Sequence, residues 1–225
     1  MPAIRTTRLH RLALQGLAAA AFLAAPLGSA GAQAFIDPTG DFLPSYTGPQ
    51  NGDMDVVSAQ VLFDGSNFTF MHTSAGAIGQ TTNSIFVWGM NRGAGTARFP
   101  TLAPGVLFDW VLTVTSNGAG GFTVATRDLV SATSTSIDGS ALTISGSSMS
   151  VIIPGILLPS RGLAIGDFTA NLWPRLTGGA LSGISDFAPD NSNFAVTVTP
   201  EPASYLLVGT GLAALLVVRR RRRHG

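Results

Sequence analysis

The stretch Val56-Val-Ser-Ala-Gln-Val-Leu-Phe63, followed by Asp64-Gly65 and then by Ser-Asn-Phe-Thr-Phe-Met-His72, decides the fold class. Its apolar side chains recur at every second position, at Val57, Ala59, Val61 and Phe63 and again, beyond the Asp-Gly pair, at Phe68 and Phe70. A period of two is typical of a β-strand with one buried face, and an Asp-Gly pair between two such runs is typical of a hairpin turn. Residues 56–72 are therefore predicted to form a β-hairpin.

Further short strands are predicted on both sides of this hairpin. Residues 106–115 form the strongest of them and continue through a Gly-rich turn at 117–121 into a strand at 122–126, and weaker patterns lie at 85–90, 141–145, 149–153 and 194–198. Between residues 35 and 199 no segment carries an apolar stripe of period 3.6, and the chain contains 27 Gly and 13 Pro. The prediction is an all-β fold, an antiparallel β-sandwich of roughly eight to ten strands, with a closed β-barrel as the alternative.

Composition excludes several classes of function. The 225 residues include no Cys, no Lys and a single Glu, which rules out catalytic cysteines, thiolate zinc sites and Schiff-base lysines. Residues 35–199 hold five Arg against eleven Asp, a formal net charge of −6. Because binding to a phosphate backbone depends on Lys and Arg, we expect no nucleic-acid partner.

The N-terminus has the three-part layout of a secretory signal peptide. Met1–Arg11 is short and basic, Leu12–Leu27 is an apolar run, and small residues follow, with A-x-A matches that allow cleavage after Ala32 or Ala34. Residues 1–34 are therefore predicted to be a cleavable signal helix that directs the chain to Sec-type export machinery. The alternative is a permanent N-terminal membrane helix.

The C-terminus is predicted to enter the membrane. Ala203–Val218 is a 16-residue stretch without a charged residue, and as a helix it would span about 24 Å. An arginine cluster follows it, made of Arg219, Arg220, Arg221, Arg222 and Arg223. Because positive charge stays on the cytoplasmic side, this transmembrane helix and the signal helix place residues 35–199 outside the cytoplasm.

Pro200, Glu201 and Pro202 stand directly before this apolar stretch. The order Pro-Glu-Pro, short apolar helix and terminal arginine cluster over residues 200–225 resembles the PEP-CTERM sorting signal of exported bacterial proteins. The resemblance implies an exosortase as partner, an inner-membrane precursor, and a final location at the surface or outside of a Gram-negative bacterium. The alternative is an ordinary tail anchor with a proline-rich stalk.

Clustered carboxylates are the candidate metal ligands. Asp37 and Asp41 precede the first strong strand, and Asp53 and Asp55 stand at its start. A further group, Asp186 and Asp190, lies near residue 194. Oxygen ligands on loops shaped by Gly and Pro are what Ca²⁺ requires, so Asp37, Asp41, Asp53 and Asp55 form a candidate calcium site. Turn capping by the same side chains is the alternative, and no other cofactor is predicted.

The Asp-x-x-Gly-Asp opening at 37–41, Asp53-x-Asp55 and Asp64-Gly65 resemble sandwich domains of the DOMON and family 9 carbohydrate-binding type. In such domains aromatic side chains stack on sugar rings. Trp173, in Asn171-Leu-Trp-Pro-Arg175, stands where a loop could expose it and is the candidate glycan contact. The alternative for Trp173 is an ordinary packed tryptophan.

Catalytic patterns are scarce in the exported region. His72 is the single histidine of residues 35–199, and its position after Phe68 and Phe70 favours a core side chain over a general base. We therefore expect no enzyme but a non-catalytic surface or extracellular-matrix protein that binds calcium or an extracellular polysaccharide. The alternative is a secreted hydrolase that uses Asp residues on polysaccharide.

Overall fold

The structure is a computed structural model that describes residues 33–199. These residues contain fourteen strands, of which several are only two residues long. In chain order they are β1 (Phe35–Ile36), β2 (Val56–Phe63), β3 (Asn67–Ser74), β4 (Ser84–Asn91), β5 (Thr96–Ala97), β6 (Leu107–Phe108), β7 (Trp110–Ser116), β8 (Phe122–Asp128), β9 (Thr133–Ile137), β10 (Leu142–Ser145), β11 (Ser148–Pro154), β12 (Thr169–Leu176), β13 (Phe194–Ala195) and β14 (Thr197–Val198).

The strands form two six-stranded sheets and one small ribbon. The first sheet has the order β1-β2-β3-β11-β10, with β14 pairing parallel to β2. The second has the order β13-β12-β4-β7-β8-β9, and β5 pairs with β6 alone. All pairings except that of β14 are antiparallel. The predicted all-β sandwich is thus confirmed, and the closed-barrel alternative is wrong.

The main core lies between the inward faces of the two sheets. The predicted hairpin is present as β2 and β3, and Ser66 and Asn67 donate backbone N–H groups to Oδ1 of Asp64 in its turn, at 2.8 and 2.7 Å. Phe70 of the first sheet contacts Trp88 and Trp110 of the second, with ring centroids 5.5 and 5.9 Å apart. Such aromatic pairs stabilise beyond their buried area.

A β-bulge at the start of β2 changes the predicted face of that strand. Val56 and Ser58 oppose the consecutive residues Ser74 and Thr73, so Val57 is an extra residue. Val56 is therefore fully buried in the core, whereas Val57 is only half-buried. The expectation that Val57 shares the buried face is wrong, because one inserted residue reverses the alternation on one side of a bulge.

A second, smaller core covers the outer face of the second sheet. This outer cluster consists of Val87, Phe99, Ala103, Val106, Phe108, Trp173, Ile184 and Phe187. It interrupts the strand predicted over 106–115, because Val106 and Phe108 pack in the outer cluster while Trp110 and Leu112 point into the main core. The change of side occurs at Asp109, which lies between β6 and β7.

The helical segments of residues 33–199 are three-residue 3-10 turns, and none is long and apolar enough to cross a membrane. The predicted signal helix (1–34) lies almost wholly outside the described residues, and the predicted sorting tail and transmembrane helix (200–225) lie entirely outside them. Pro200, Glu201, Pro202 and the arginines at 219–223 therefore have no structural account.

Candidate metal centre

Three carboxylates from distant parts of the sequence meet at one end of the sandwich. Asp37 follows β1, Asp41 lies four residues further on, and Asp186 lies between β12 and β13. One ligand oxygen from each lies within 4.8 Å of the others. We call these three residues the carboxylate cluster. Asp55, at the start of β2, lies beside it and interacts electrostatically with Asp37 and Asp186.

Backbone hydrogen bonds fix the cluster to the first sheet. The Gly40 N–H donates to Oδ2 of Asp55 at 2.8 Å and thereby holds the loop between Asp37 and Asp41. The Val56 N–H, next to the bulge, donates to Oδ2 of Asp186 at 2.9 Å. The bulge interrupts the pairing of β2 with β3 next to Val56. The Val56 N–H bonds Asp186, which is 130 residues away in sequence, so the bulge lies beside the site.

Strand β12 positions Asp186 from the other side. Ala188 pairs with Leu172, donating its N–H at 2.8 Å and accepting one at 3.1 Å. The Ser185 hydroxyl donates to the Met54 carbonyl at 2.7 Å. Asp186 is held between these two anchored residues, so its carboxylate has little freedom to move away from Asp37 and Asp41.

Each of the four carboxylates keeps one buried oxygen without a hydrogen-bond partner among the described residues. These oxygens are Asp37 Oδ2, Asp41 Oδ1, Asp55 Oδ1 and Asp186 Oδ1. Asp37, Asp55 and Asp186 are only 4%, 3% and 1% exposed. Buried polar atoms are nearly always paired, so four buried oxygens without a protein partner indicate a site that a proton, a water molecule or a cation completes.

The pKa values of the four carboxyls also indicate that their negative charges need compensation. Burial, together with the charges of Asp186, Asp41, Asp190 and Asp55, raises the pKa of Asp37 to about 8. Burial chiefly raises the pKa of Asp186 to about 7, against an opposing hydrogen bond from Val56. Burial also raises the pKa of Asp41 and of Asp55. Without a cation, the Asp37 carboxyl would therefore favour its protonated form at neutral pH, and a cation among these carboxylates would relieve their repulsion.

The structure places Asp53 differently from the candidate set Asp37, Asp41, Asp53 and Asp55. The Asp53 carboxylate accepts the Thr81 backbone N–H and the Thr81 hydroxyl, each at 2.7 Å. It ties the segment before β2 to the segment before β4 and is not one of the three carboxylates of the cluster. Asp186, and not Asp53, lies with Asp37 and Asp41. It reaches them through the pairing of residues 184–188 with β12.

The donor set suits a hard divalent cation. It consists of carboxylate oxygens alone and includes neither thiolate nor imidazole. Carboxylate oxygens are the ligands that Ca²⁺ prefers. Two oxygens on one Ca²⁺ can be at most about 4.6–5.2 Å apart, twice the usual bond of 2.3–2.6 Å. The carboxylate cluster meets this limit, since its oxygens lie within 4.8 Å of one another.

Trp173 is a packed residue rather than an exposed loop residue. It lies in β12, is 2% exposed, and contacts Phe99 and Phe108 at centroid distances of 5.2 and 4.9 Å. Gly89 of the neighbouring strand leaves room for its ring, because a Cβ there would lie 2.7 Å from the indole. The expectation that a loop exposes Trp173 is wrong, since the chain continues as a strand through Pro174.

His72 lies in the main core, as its period predicts. It is 3% exposed and packs against Phe86 and Trp88, with centroids 5.0 and 6.0 Å away. Neither ring nitrogen has a hydrogen-bond partner among the described residues, and burial lowers the pKa of His72 to about 3. An imidazole without a partner or solvent access is poorly placed to move a proton between reactants.

A shallow hollow of about 320 Å³ lies on the first sheet. Six hydroxyl side chains line it, among them Ser58, Thr73, Ser148 and Ser150, together with apolar side chains such as Met71. No charged residue lies on strands β1, β2, β3, β10 and β11, which carry this surface. The hollow therefore offers a few hydroxyl groups on an uncharged and mostly apolar surface.

Comparison with known proteins gives one match. A family model of the PEP-CTERM protein-sorting motif matches residues 198–223. No curated protein and no solved structure matches the chain. The likeness of the β domain to DOMON and family 9 carbohydrate-binding sandwiches therefore stays a prediction.

The matched segment begins inside the described fold. Val198 belongs to β14, which pairs parallel to β2, and Thr199 donates its N–H to the Phe63 carbonyl at 2.9 Å. The sandwich thus ends where the sorting signal begins, without an intervening linker. The chain is an exported protein that carries a PEP-CTERM protein-sorting motif at residues 198–223 and is sorted by an exosortase.

Proposed function

We propose that the exported β-sandwich is a non-catalytic surface or extracellular-matrix protein whose carboxylate cluster binds Ca²⁺. One observation carries this proposal: four buried carboxylate oxygens, from Asp37, Asp41, Asp55 and Asp186, lack a hydrogen-bond partner within residues 33–199. Calcium outside cells is abundant enough to fill sites with dissociation constants of about 10⁻⁴–10⁻³ M.

The bound ion would act as a structural clip. Its ligands would come from the segment after β1 and from the loop after β12, with Asp55 beside them, so one ion would join both ends of the domain sequence. Cross-linking two segments whose carboxylates otherwise repel one another would stabilise the folded state only where calcium is present. The domain would therefore be most stable in its exported location.

An Asp-dependent hydrolase is the alternative reading of the same residues, because the raised pKa values of Asp37 and Asp186 would suit an acid. Asp37, Asp55 and Asp186 are at most 4% exposed, however, and a sugar ring needs open space beside its catalytic carboxyls. Carboxylates buried to this degree are better placed to bind Ca²⁺ than to contact a polysaccharide substrate.

We expect calcium to raise the melting temperature of the exported domain. At a hundredfold excess over its dissociation constant, a ligand stabilises by about 2.7 kcal/mol, which corresponds to about 5–10 °C in a domain of this size. Asp41→Asn and Asp186→Asn should lose most of this shift, because each removes a ligand charge. Asp167→Asn, which removes an exposed carboxylate from a 3-10 turn, is the matched control and should keep the shift.

The pH dependence provides a second readout of the same experiment. Without calcium, folded Asp37 and Asp186 keep protons up to about pH 8 and 7, whereas the unfolded chain releases them near pH 4. The folded state thus binds more protons than the unfolded chain between these pH values, so stability should fall as pH rises from about 6.5 and should level off near pH 8. Below this window the neutral, buried His72 opposes the trend. A melting temperature that does not change on addition of calcium at any pH would contradict the proposal.

Extracellular polysaccharide is a second candidate ligand, and the hydroxyl-lined hollow on the first sheet favours it. Ser and Thr hydroxyls can exchange hydrogen bonds with sugar hydroxyls, and the uncharged surface suits a neutral glycan. In a pull-down on neutral polysaccharides, Ser150→Tyr should reduce retention by blocking the hollow. Retention equal to that of the parent would contradict a glycan site there, and repeating the assay with a chelator separates it from the calcium site.

A further inference from the structure

An apolar groove of about 480 Å³ lies on the outer face of the second sheet. Its floor is made by aliphatic side chains of β4 and β7, and its walls are aromatic side chains of the outer cluster. The floor residues are Ile85, Val87 and Val111, and the wall residues are Phe99, Phe108 and Trp173. Its volume is within the range of about 300–1,000 Å³ that is usual for sites that bind small molecules.

The groove surface is almost entirely hydrocarbon. Among the described residues Thr113 is the single hydroxyl residue that lines it, and its Oγ1 already donates to the Ala125 carbonyl at 3.2 Å. A sugar placed here would lose hydrogen bonds to water without replacement, which is costly. The groove is therefore chemically distinct from the hydroxyl-lined hollow of the first sheet.

Two arginines, Arg98 and Arg175, complete the lining. The Arg98 guanidinium lies over the Phe108 ring, 5.7 Å from its centroid, and Nη2 of Arg175 donates to the Ala180 carbonyl at 3.1 Å. Neither forms an ion pair with another residue of the described range 33–199, although that range holds eleven Asp. Arg98 is exposed and Arg175 is half-buried, and both lie beside apolar surface without a counter-charge from residues 33–199.

We propose that this groove binds a small amphipathic anion, a molecule with an aromatic or branched aliphatic body and one carboxylate. The body would displace water chiefly from the half-buried floor residues Ile85 and Val111, which is favourable in proportion to the buried apolar area. The carboxylate would accept hydrogen bonds from the guanidiniums, whose planar donor groups match its two oxygens. Burial lowers the pKa of Arg175, which indicates a partly desolvated cation that an anion would stabilise.

Three probes with one hydrocarbon body test the proposal: 4-phenylbutyrate, 4-phenylbutanol and 4-phenylbutylammonium. The full chain is reconstituted in lipid nanodiscs, and binding is measured by calorimetry with empty nanodiscs as the blank. We expect saturable binding of the carboxylate, with binding of the alcohol at least about tenfold weaker and of the ammonium weaker still. Equal affinities for the three probes would overturn the charge requirement.

Substitutions locate the binding. The double variant Arg98→Gln/Arg175→Gln should weaken phenylbutyrate binding by at least about tenfold, whereas Arg161→Gln, which removes an arginine that pairs with Asp128 and does not line the groove, should not change it. Val111→Phe keeps both charges but fills the floor, and it should abolish binding even if the double variant folds poorly. Unchanged binding in Val111→Phe, or no binding together with self-association of the chain, would overturn the proposal.

Discussion

Arg92→Ala is expected to reduce the free energy of unfolding of the sandwich by about 3–5 kcal/mol, the usual cost of removing one partner from a buried ion pair. Arg92 follows β4 and is 0% exposed. Its Nε donates to Oδ1 of Asp109 at 2.7 Å, and its Nη2 donates to Oδ2 of Asp128 at 3.0 Å. Without the guanidinium, two carboxylates would remain in the interior with part of their charge uncompensated.

The same contacts organise the segment that carries the outer cluster. Asp109 also accepts the backbone N–H groups of Arg92 and Ala94 through Oδ2, at 3.0 and 2.9 Å, so it holds both ends of the excursion from residue 92 to residue 109. Nη1 of Arg92 donates to the Pro159 carbonyl at 3.2 Å. Loss of Arg92 should therefore loosen the aromatic walls of the groove as well as lower the overall stability.

Arg161→Ala is the matched control. Arg161 donates to the same Oδ2 of Asp128, at 2.9 Å, but its side chain is 31% exposed. A partly exposed pair contributes about 0–1 kcal/mol, because water compensates both charges when the pair is broken. Urea unfolding at constant calcium measures both variants. Equal losses of stability in Arg92→Ala and Arg161→Ala would show that burial of the ion pair is not what matters.

Alternation in the sequence predicted the sheets well, because each buried strand face requires apolar residues at every second position. The prediction from alternation failed where a single residue changes which face of the strand is buried. The bulge at Val57 reverses one end of β2, and at Asp109 the apolar series passes from the outer cluster to the main core without a break in period. Strand β12 was missed because Pro174 within it suggests a loop.

The site was predictable only in its local parts. Asp37, Asp41 and Asp55 lie within 19 residues of one another, and loop carboxylates at that spacing are visible in the sequence. Asp186 reaches them through long-range pairing with β12, for which the sequence carries no local signal. Asp53 and Asp55 look equivalent as Asp-x-Asp, yet only the fold determines that Asp53 bonds Thr81 while Asp55 lies beside the cluster.

Sorting should depend on Pro200-Glu201-Pro202 in an all-or-none manner. In a host with an exosortase, we expect the parent chain to lose its C-terminal apolar segment and arginines and to appear outside the inner membrane. The triple variant Pro200→Ala/Glu201→Gln/Pro202→Ala should accumulate as an unprocessed precursor. An enzyme that recognises a rigid motif with one negative charge would no longer bind it, because the variant has neither the rigidity nor the charge. Mass spectrometry of the membrane and external fractions distinguishes the two outcomes.

A simple tail anchor would behave differently. Membrane retention would then depend on the length of the apolar segment 203–218 and on the flanking arginines alone, neither of which the triple variant alters. Parent and variant would show the same mass and the same membrane fraction, which would exclude a sorting role for the motif. In a host without an exosortase both chains should stay anchored, so only a difference that requires the enzyme counts as recognition. Because Thr199 is hydrogen-bonded to Phe63, the residue before the motif is held at the sheet edge, and loss of processing with an unchanged melting temperature would place the defect in recognition rather than in folding.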